Sequence, residues 1–160
     1  MPEQKISVMG DRRDVYRVLD AAANRGREAV RVIEDAVRFL ADDAAMTRAL
    51  KEFRHDFASL TDRLPMAARL ASRAADADVG TAIAAAGEYQ RSTIETVLTA
   101  NFCRLQEALR SLEEFSKLVR PDDAPDYEQL RYRSYTLQKG TLSLFGAAGA
   151  QTSVKGECDA

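Results

Sequence analysis

Arginine and glutamate alternate at three-residue spacing in two separate stretches of this 160-residue chain: Arg25, Glu28, Arg31 and Glu34, and again Arg104, Glu107, Arg110 and Glu113. Each pattern runs through nearly the same eight residues, EAVRVIED at 28–35 and EALRSLEE at 107–114. Several guanidinium groups on one wall suit a polyanion, because their donor forks match phosphate or carboxylate oxygens. Carboxylates among them orient the arginines or hold Mg²⁺ through a few oxygens and waters. Arginine, carboxylate and Mg²⁺ together fit phosphoryl transfer, in which positioning and charge neutralisation carry most of the catalysis.

Displacing the chain by 79 residues superposes the two stretches with eight identities across residues 18–34 and no gap. Asp35 then meets Glu114 and Arg38 meets Lys117, which keeps charge, and Arg54 falls on Arg133. Residues 12–64 and 91–144 therefore read as two copies of one helical hairpin joined by 65–90, an internal pseudo-twofold repeat. On a helical wheel Asn24, Arg25, Arg27, Glu28, Arg31, Glu34, Asp35 and Arg38 share one half, and Ala29, Val32, Ile33, Ala36, Val37 and Leu40 fill the other. Two readings of the charged half stand. One is a solvated face stitched by pairs such as Arg31–Asp35 and Glu34–Arg38, each worth only roughly 0.2–0.5 kcal/mol. The other is two charged faces turned towards a shared cleft. Such weak pairs place little demand on residue type, so the recurrence of Arg, Glu, Arg and Glu favours the cleft.

The elements that must position these residues follow from apolar spacings of three and four. A first helix is expected from Asp11, its N-cap, to Leu40, tolerating Gly26. A second runs from Ala44 to Leu64, and a short third from Pro65 to about Ala75. Residues 76–87 (DADVGTAIAAAG) break the pattern and read as a loop hinged at Gly80 and Gly87. A long helix follows from Glu88 or Ser92 to Val119, stopped by Pro121, and a last one covers Ala124 to Leu144. The expected class is all-α, a bundle of about five helices forming one domain over 11–144, with 145–160 a flexible C-terminal tail or linker stub.

Composition narrows the function classes. A formal net charge of −2 argues against a nucleic-acid partner. No apolar run is long enough for a membrane span, and residues 1–10 lack a basic, then apolar, leader. Cys103 and Cys158 show no framework spacing, which fits a reducing, cytoplasmic setting. Neither GxxxxGK[ST] nor GxGxxG is present. His55 is the only histidine, which excludes a histidine metal cluster. It is either a surface residue or, beside Arg54, a neighbour of the charged face. DVGT at 78–81 reads as a turn or a phosphate-closing loop, and Asn101 as a packing clamp or a ligand contact. Tyr127, Tyr132 and Tyr135 read as core residues rather than as stackers for a substrate ring.

The segments NRGREAVRVIEDAVRF (24–39), RH (54–55), DVGT (78–81), ANFCRLQEALRSLEEFSKL (100–118) and LRYRSYTLQ (130–138) resemble the small hydroxymethylpyrimidine phosphate kinase family. This is the monofunctional thiamine-biosynthesis type often fused ahead of thiamine phosphate synthase. The resemblance covers about residues 12–138. It implies ATP-dependent phosphorylation of hydroxymethylpyrimidine phosphate to the diphosphate, with refusal of the unphosphorylated pyrimidine. An acceptor that is already a phosphate oxygen needs no strong general base, and arginines with Mg²⁺ bring two polyanions together. By the same resemblance Arg31, Glu34, Arg110 and Glu113 are the catalytic candidates. Asn24, Arg27, Glu28, Asn101, Arg104 and Glu107 line the site, and Arg54 and His55 grip phosphate. Asp78, Gly80 and Thr81 close over it, and Glu34 and Glu113 are the Mg²⁺ candidates. The sequence carries no fused synthase; if the chain stands alone, docking to a separate thiamine phosphate synthase is expected, and the exposed pseudo-twofold faces suggest a homodimer, beside the small-molecule substrate. The alternatives are a helical mutase or lyase on a carboxylate metabolite and a non-catalytic helical docking module.

Overall fold

The computed structural model describes residues 12–80 and 91–146. The N-cap expected at Asp11, the site candidate Thr81, the hinge at Gly87 and the expected tail beyond Gly146 lie outside the described residues. Five α-helices account for most of what is described: α1 (Arg12–Ala36), α2 (Ala44–Thr61), α3 (Met66–Ser72), α4 (Ile94–Ser116) and α5 (Ala124–Gly146). The all-α, five-helix class is thus the observed one. None of these helices is long and apolar enough to cross a membrane.

Helix boundaries have local causes. α1 does not run straight to Leu40: Val37–Ala41 forms a π-helical turn, and Asp42 takes the left-handed conformation at φ 50° that reverses the chain. Asp43 then caps α2, its Oδ1 accepting the Met46 N–H at 2.7 Å. Thr93 caps α4 in a reciprocal capping box with Thr96. Pro65 stands at the N-cap of α3, and Pro121 opens a 3₁₀ turn (Pro121–Asp123) that leads into α5.

Helix directions follow from side-chain contacts. Glu34 meets Arg54, so α2 runs back along α1. Asp56 meets Arg133 and Arg63 meets Asp126, so α5 is antiparallel to α2. Gln106 meets Gln138 and Glu113 meets Arg131, so α4 is antiparallel to α5, and hence to α1. α1 packs chiefly on α4, α4 on α5, and α2 on both α1 and α5. The bundle therefore has two layers, α1 with α4 and α2 with α5, and α3 lies against α1. Between the layers sit Leu19, Val30, Ile33, Leu50, Phe53, Phe57, Leu98, Phe102, Leu105, Leu109 and Leu112, all fully buried. Burial of such a side chain contributes about 1.5–3 kcal/mol.

Gly26 has a packing role that helix propensity does not show. A Cβ there would lie 2.7 Å from Cζ of the buried Phe57 ring, with two further ring carbons at 3.2 and 3.4 Å. Alanine raises helix propensity by about 0.8–1.0 kcal/mol, but overpacking a filled core costs about 1–3 kcal/mol. Gly26→Ala is expected to leave stability unchanged or lower it by up to about 2 kcal/mol, and Gly26→Val to lower it further. Urea denaturation checks this, and a clear gain in stability for Gly26→Ala would refute the close approach.

Candidate functional site: the arginine–glutamate faces of α1 and α4

α1 and α4 pack extensively on each other, and Ala22 and Ala29 of α1 and Ala108 of α4 are buried. The charged rows therefore do not face each other across an interior cleft. Arg25, Arg27, Glu28 and Arg31 are exposed on α1, as are Arg104, Glu107 and Arg110 on α4. Apart from Glu34 and Glu113, the arginines and glutamates of both rows are open to solvent. The physical reason is desolvation: an interior cleft lined by this many charges would cost more than their mutual attraction returns.

Two members of the rows are buried, and each is tied to the other layer. Glu34 is fully buried, and its Oε2 accepts from Arg54 Nε at 2.6 Å. Arg31 lies 3.6 Å from its other oxygen, which accepts no hydrogen bond. Glu113 is 5% exposed, accepting from Arg110 Nη1 at 2.7 Å and from Arg131 Nε at 2.9 Å. The hydrogen bond to Glu113 raises the pKa of Arg131 despite its partial desolvation. Both carboxylates thus orient an arginine of their own helix and clamp one from the neighbouring layer. The 79-residue register does not carry through to the clamp. The counterpart of Arg54 is Arg133, which pairs with Asp56 at 2.6 Å and lies over Phe53, whereas Arg131 serves Glu113. The pseudo-twofold repeat is therefore not established as a structural symmetry.

The remaining candidates are scattered. Asn24 donates to Asp20 at 3.4 Å, and Asn101, largely buried, donates to the Val97 carbonyl of its own helix at 2.8 Å. His55 is exposed on α2 next to Arg54. Asp78 accepts the Gly80 N–H at 2.9 Å in an exposed turn. Tyr127 is core as expected, with burial raising its pKa, but Tyr132 and Tyr135 are exposed. Among the described residues no group of three or more His, Cys, Asp or Glu side chains is placed to hold a metal ion. Of the two Mg²⁺ candidates only Glu34 keeps an oxygen without a hydrogen bond. Cys103 is half-buried on α4, and the chain's other cysteine, Cys158, lies outside the described residues.

Sequence reasoning missed a polar cluster at the start of α1. Asp20, 3% exposed, accepts from Arg69 Nε at 3.0 Å and from Arg73 Nε and Nη2 at 2.6 and 3.1 Å. This pins α3 to α1. A carboxylate between Leu19 and Ala22 on the apolar side of the helix was the available signal. Asp123, also buried, joins Arg63 and Arg120 at 2.9 and 2.6 Å.

Residues 17–140 match the model of the ThiD2 family. The chain is 41% identical over 129 residues to a thiamine-phosphate synthase of Nostoc punctiforme, covering 80% of this chain and 35% of that protein. It is 38% identical over 135 residues to one of Rhodopirellula baltica, covering 84% and 36%. A third, of Thermosynechococcus vestitus, is 39% identical over 137 residues, covering 85% and 38%. The chain thus spans little more than a third of the length of these curated relatives. No solved structure matches. The relatives' name corrects the expected classification as a phosphomethylpyrimidine kinase: it is that of a synthase, not a kinase. Arginine-rich anion surfaces serve many reactions, so the motifs alone did not single out that enzyme. With 17–140 matched, nearly the whole of the helical bundle, the chain belongs to the ThiD2 family.

Proposed function

We propose that the chain serves thiamine biosynthesis by binding a phosphorylated pyrimidine, hydroxymethylpyrimidine phosphate, on the outer face of α1 and α4. One observation carries this reading. Arg25, Arg27 and Arg104 are exposed there with no ion-pair partner among the described residues, beside Arg31 and Arg110, which Glu34 and Glu113 hold in place. In a chain that pairs most of its buried or half-buried arginines internally, cations left free beside oriented ones offer charge-assisted hydrogen bonds to a phosphate. The relatives' name points to thiamine chemistry, and their additional length makes a thiamine-phosphate synthase unit the proposed partner. ATP and Mg²⁺ are proposed as co-ligands. Mg²⁺ is commonly bound through one or two carboxylates and phosphate oxygens; Glu34 and Glu113 are the candidate carboxylates, each already engaged by arginines.

Calorimetric titration with hydroxymethylpyrimidine phosphate and with the free pyrimidine tests the reading. The phosphate form is expected to bind about tenfold or more tightly, since a hydrogen bond to a charged group contributes roughly 1.5–3 kcal/mol. Arg25→Ala/Arg104→Ala is expected to remove most of that preference while the circular dichroism spectrum is unchanged. Equal affinity for both forms, or full preference in the double variant, sinks the proposal. A second reading is favoured by the outward placement of the rows, namely a docking module. In that case the same double variant weakens co-elution with a thiamine-phosphate synthase and leaves the pyrimidine titrations alike.

A further inference from the structure

Two concavities lie away from the α1–α4 face, and their charges differ in one respect. The first, about 310 Å³, sits between α2 and α5 and is lined by Arg63, Arg133, Asp56 and Asp126. Its charges neutralise each other, since Arg63 pairs with Asp126 at 2.8 Å and Arg133 with Asp56 at 2.6 Å. The second, about 410 Å³, lies at the corner where the π-helical turn passes through Asp42 into α2. Arg38, Arg48 and Lys51 line it with Asp42, Asp43 and Thr47. None of these three cations has an ion pair or hydrogen bond among the described residues. Arg38 is steadied over the Phe39 ring, 4.9 Å from its centroid.

Local structure explains how three cations come to share this corner. Arg48 and Lys51 stand three apart on α2 and so share a face. The left-handed Asp42 turns the chain so that Arg38, on the preceding π turn, comes opposite them. The acids of the corner offset this charge only in part. Asp43 is committed to the cap of α2, accepting from Met46 N–H, while its carbonyl accepts from Thr47 Oγ1 at 2.7 Å. Asp42 remains as the one acid without such a role. The positive end of the 18-residue α2 faces the same corner.

We propose that this corner is a second anion site, and that it takes a diphosphate or longer phosphate chain. Two guanidinium forks and an ammonium on two elements match several oxygens spread over more than one phosphorus, whereas a single phosphate engages only part of the set. The site is separate from the proposed pyrimidine face and does not depend on that reading.

The probe is inorganic pyrophosphate, titrated calorimetrically into the whole chain, with orthophosphate as the comparison. Pyrophosphate is expected to bind about tenfold or more tightly than orthophosphate. Arg48→Ala/Lys51→Ala, both at exposed positions, is expected to weaken pyrophosphate about tenfold or more. Arg25→Ala/Arg104→Ala should leave it within about twofold. Pyrophosphate affinity unchanged in Arg48→Ala/Lys51→Ala overturns the proposal, as does an equal loss in both double variants, which would mean general surface attraction. Failure of the pyrimidine titrations with pyrophosphate binding intact would remove the α1–α4 reading alone.

Discussion

Asp20→Ala is expected to destabilise the protein by about 3–5 kcal/mol, because it leaves a buried arginine without its counter-ion. Arg69 is 1% exposed and already has one terminal nitrogen, Nη1, without a partner. Removing Asp20 takes its Nε partner as well and releases Arg73, so α3 loses its polar tie to α1. Chemical denaturation measures the effect, and a loss below about 1 kcal/mol would show that Arg69 finds another acceptor. Asp20 also sets an acid dependence. Burial alone would raise its pKa, but the hydrogen bonds from Arg73 and Arg69 outweigh it and hold it below the usual value. Asp123 follows the same balance, with burial opposed by Arg120 and Arg63. Since the folded values lie below the unfolded ones, the stabilisation is fully present above about pH 4 and is lost as pH falls through the folded values. Unfolding free energy is expected to decline below about pH 4. Asp20→Asn should show a shallower decline, and an identical acid profile would rule out the contribution.

Glu34→Ala and Glu113→Ala form the second large test, because the two carboxylates hold different numbers of donors. Glu113 satisfies Arg110 and Arg131 with separate oxygens, and Arg131 is only 13% exposed. Its removal strands a nearly buried guanidinium, at an expected cost of about 3–5 kcal/mol. Glu34→Ala strands Arg54, which at 20% exposure still reaches water, so a smaller loss of roughly 1–3 kcal/mol is expected. The order reverses for ligand binding if Glu34 meets a metal or ligand donor with its free oxygen. Glu34→Gln is then expected to weaken hydroxymethylpyrimidine phosphate, measured with Mg²⁺ present, more than Glu113→Gln does. Equal effects of the two glutamine variants on binding would assign both residues to positioning arginines.

Much of this molecule was legible in one dimension. The three-and-four spacing of Leu19, Ala22, Ala29, Ile33 and Ala36 marks α1, because a helix's apolar stripe repeats with its own turn. The same holds for Leu98, Phe102, Leu105, Leu109 and Leu112 on α4. Recurrence singled out both Arg–Glu rows as wholes, but it did not mark Glu34 and Glu113 as their buried members. The π turn at Val37–Ala41 was not legible, since a single added residue in a turn hardly alters a stripe.

What the pattern lacked was the identity of partners from other elements. Arg133, not Arg131, aligns with Arg54, yet Arg131 reaches Glu113, because a shift of two residues on α5 depends on how α4 and α5 pack. Asp20 reads as a polar interruption until α3 brings Arg69 over it, and Gly26 as a weak point until the Phe57 ring fills the space. Which members of the charged rows are exposed, and that Glu34 and Glu113 are buried, was likewise decided by how the helices pack. Periodicity belongs to one helix and is written in its own residues. The counter-ion of a buried charge, and the side of the bundle a charged row faces, depend on the close packing of several helices at once.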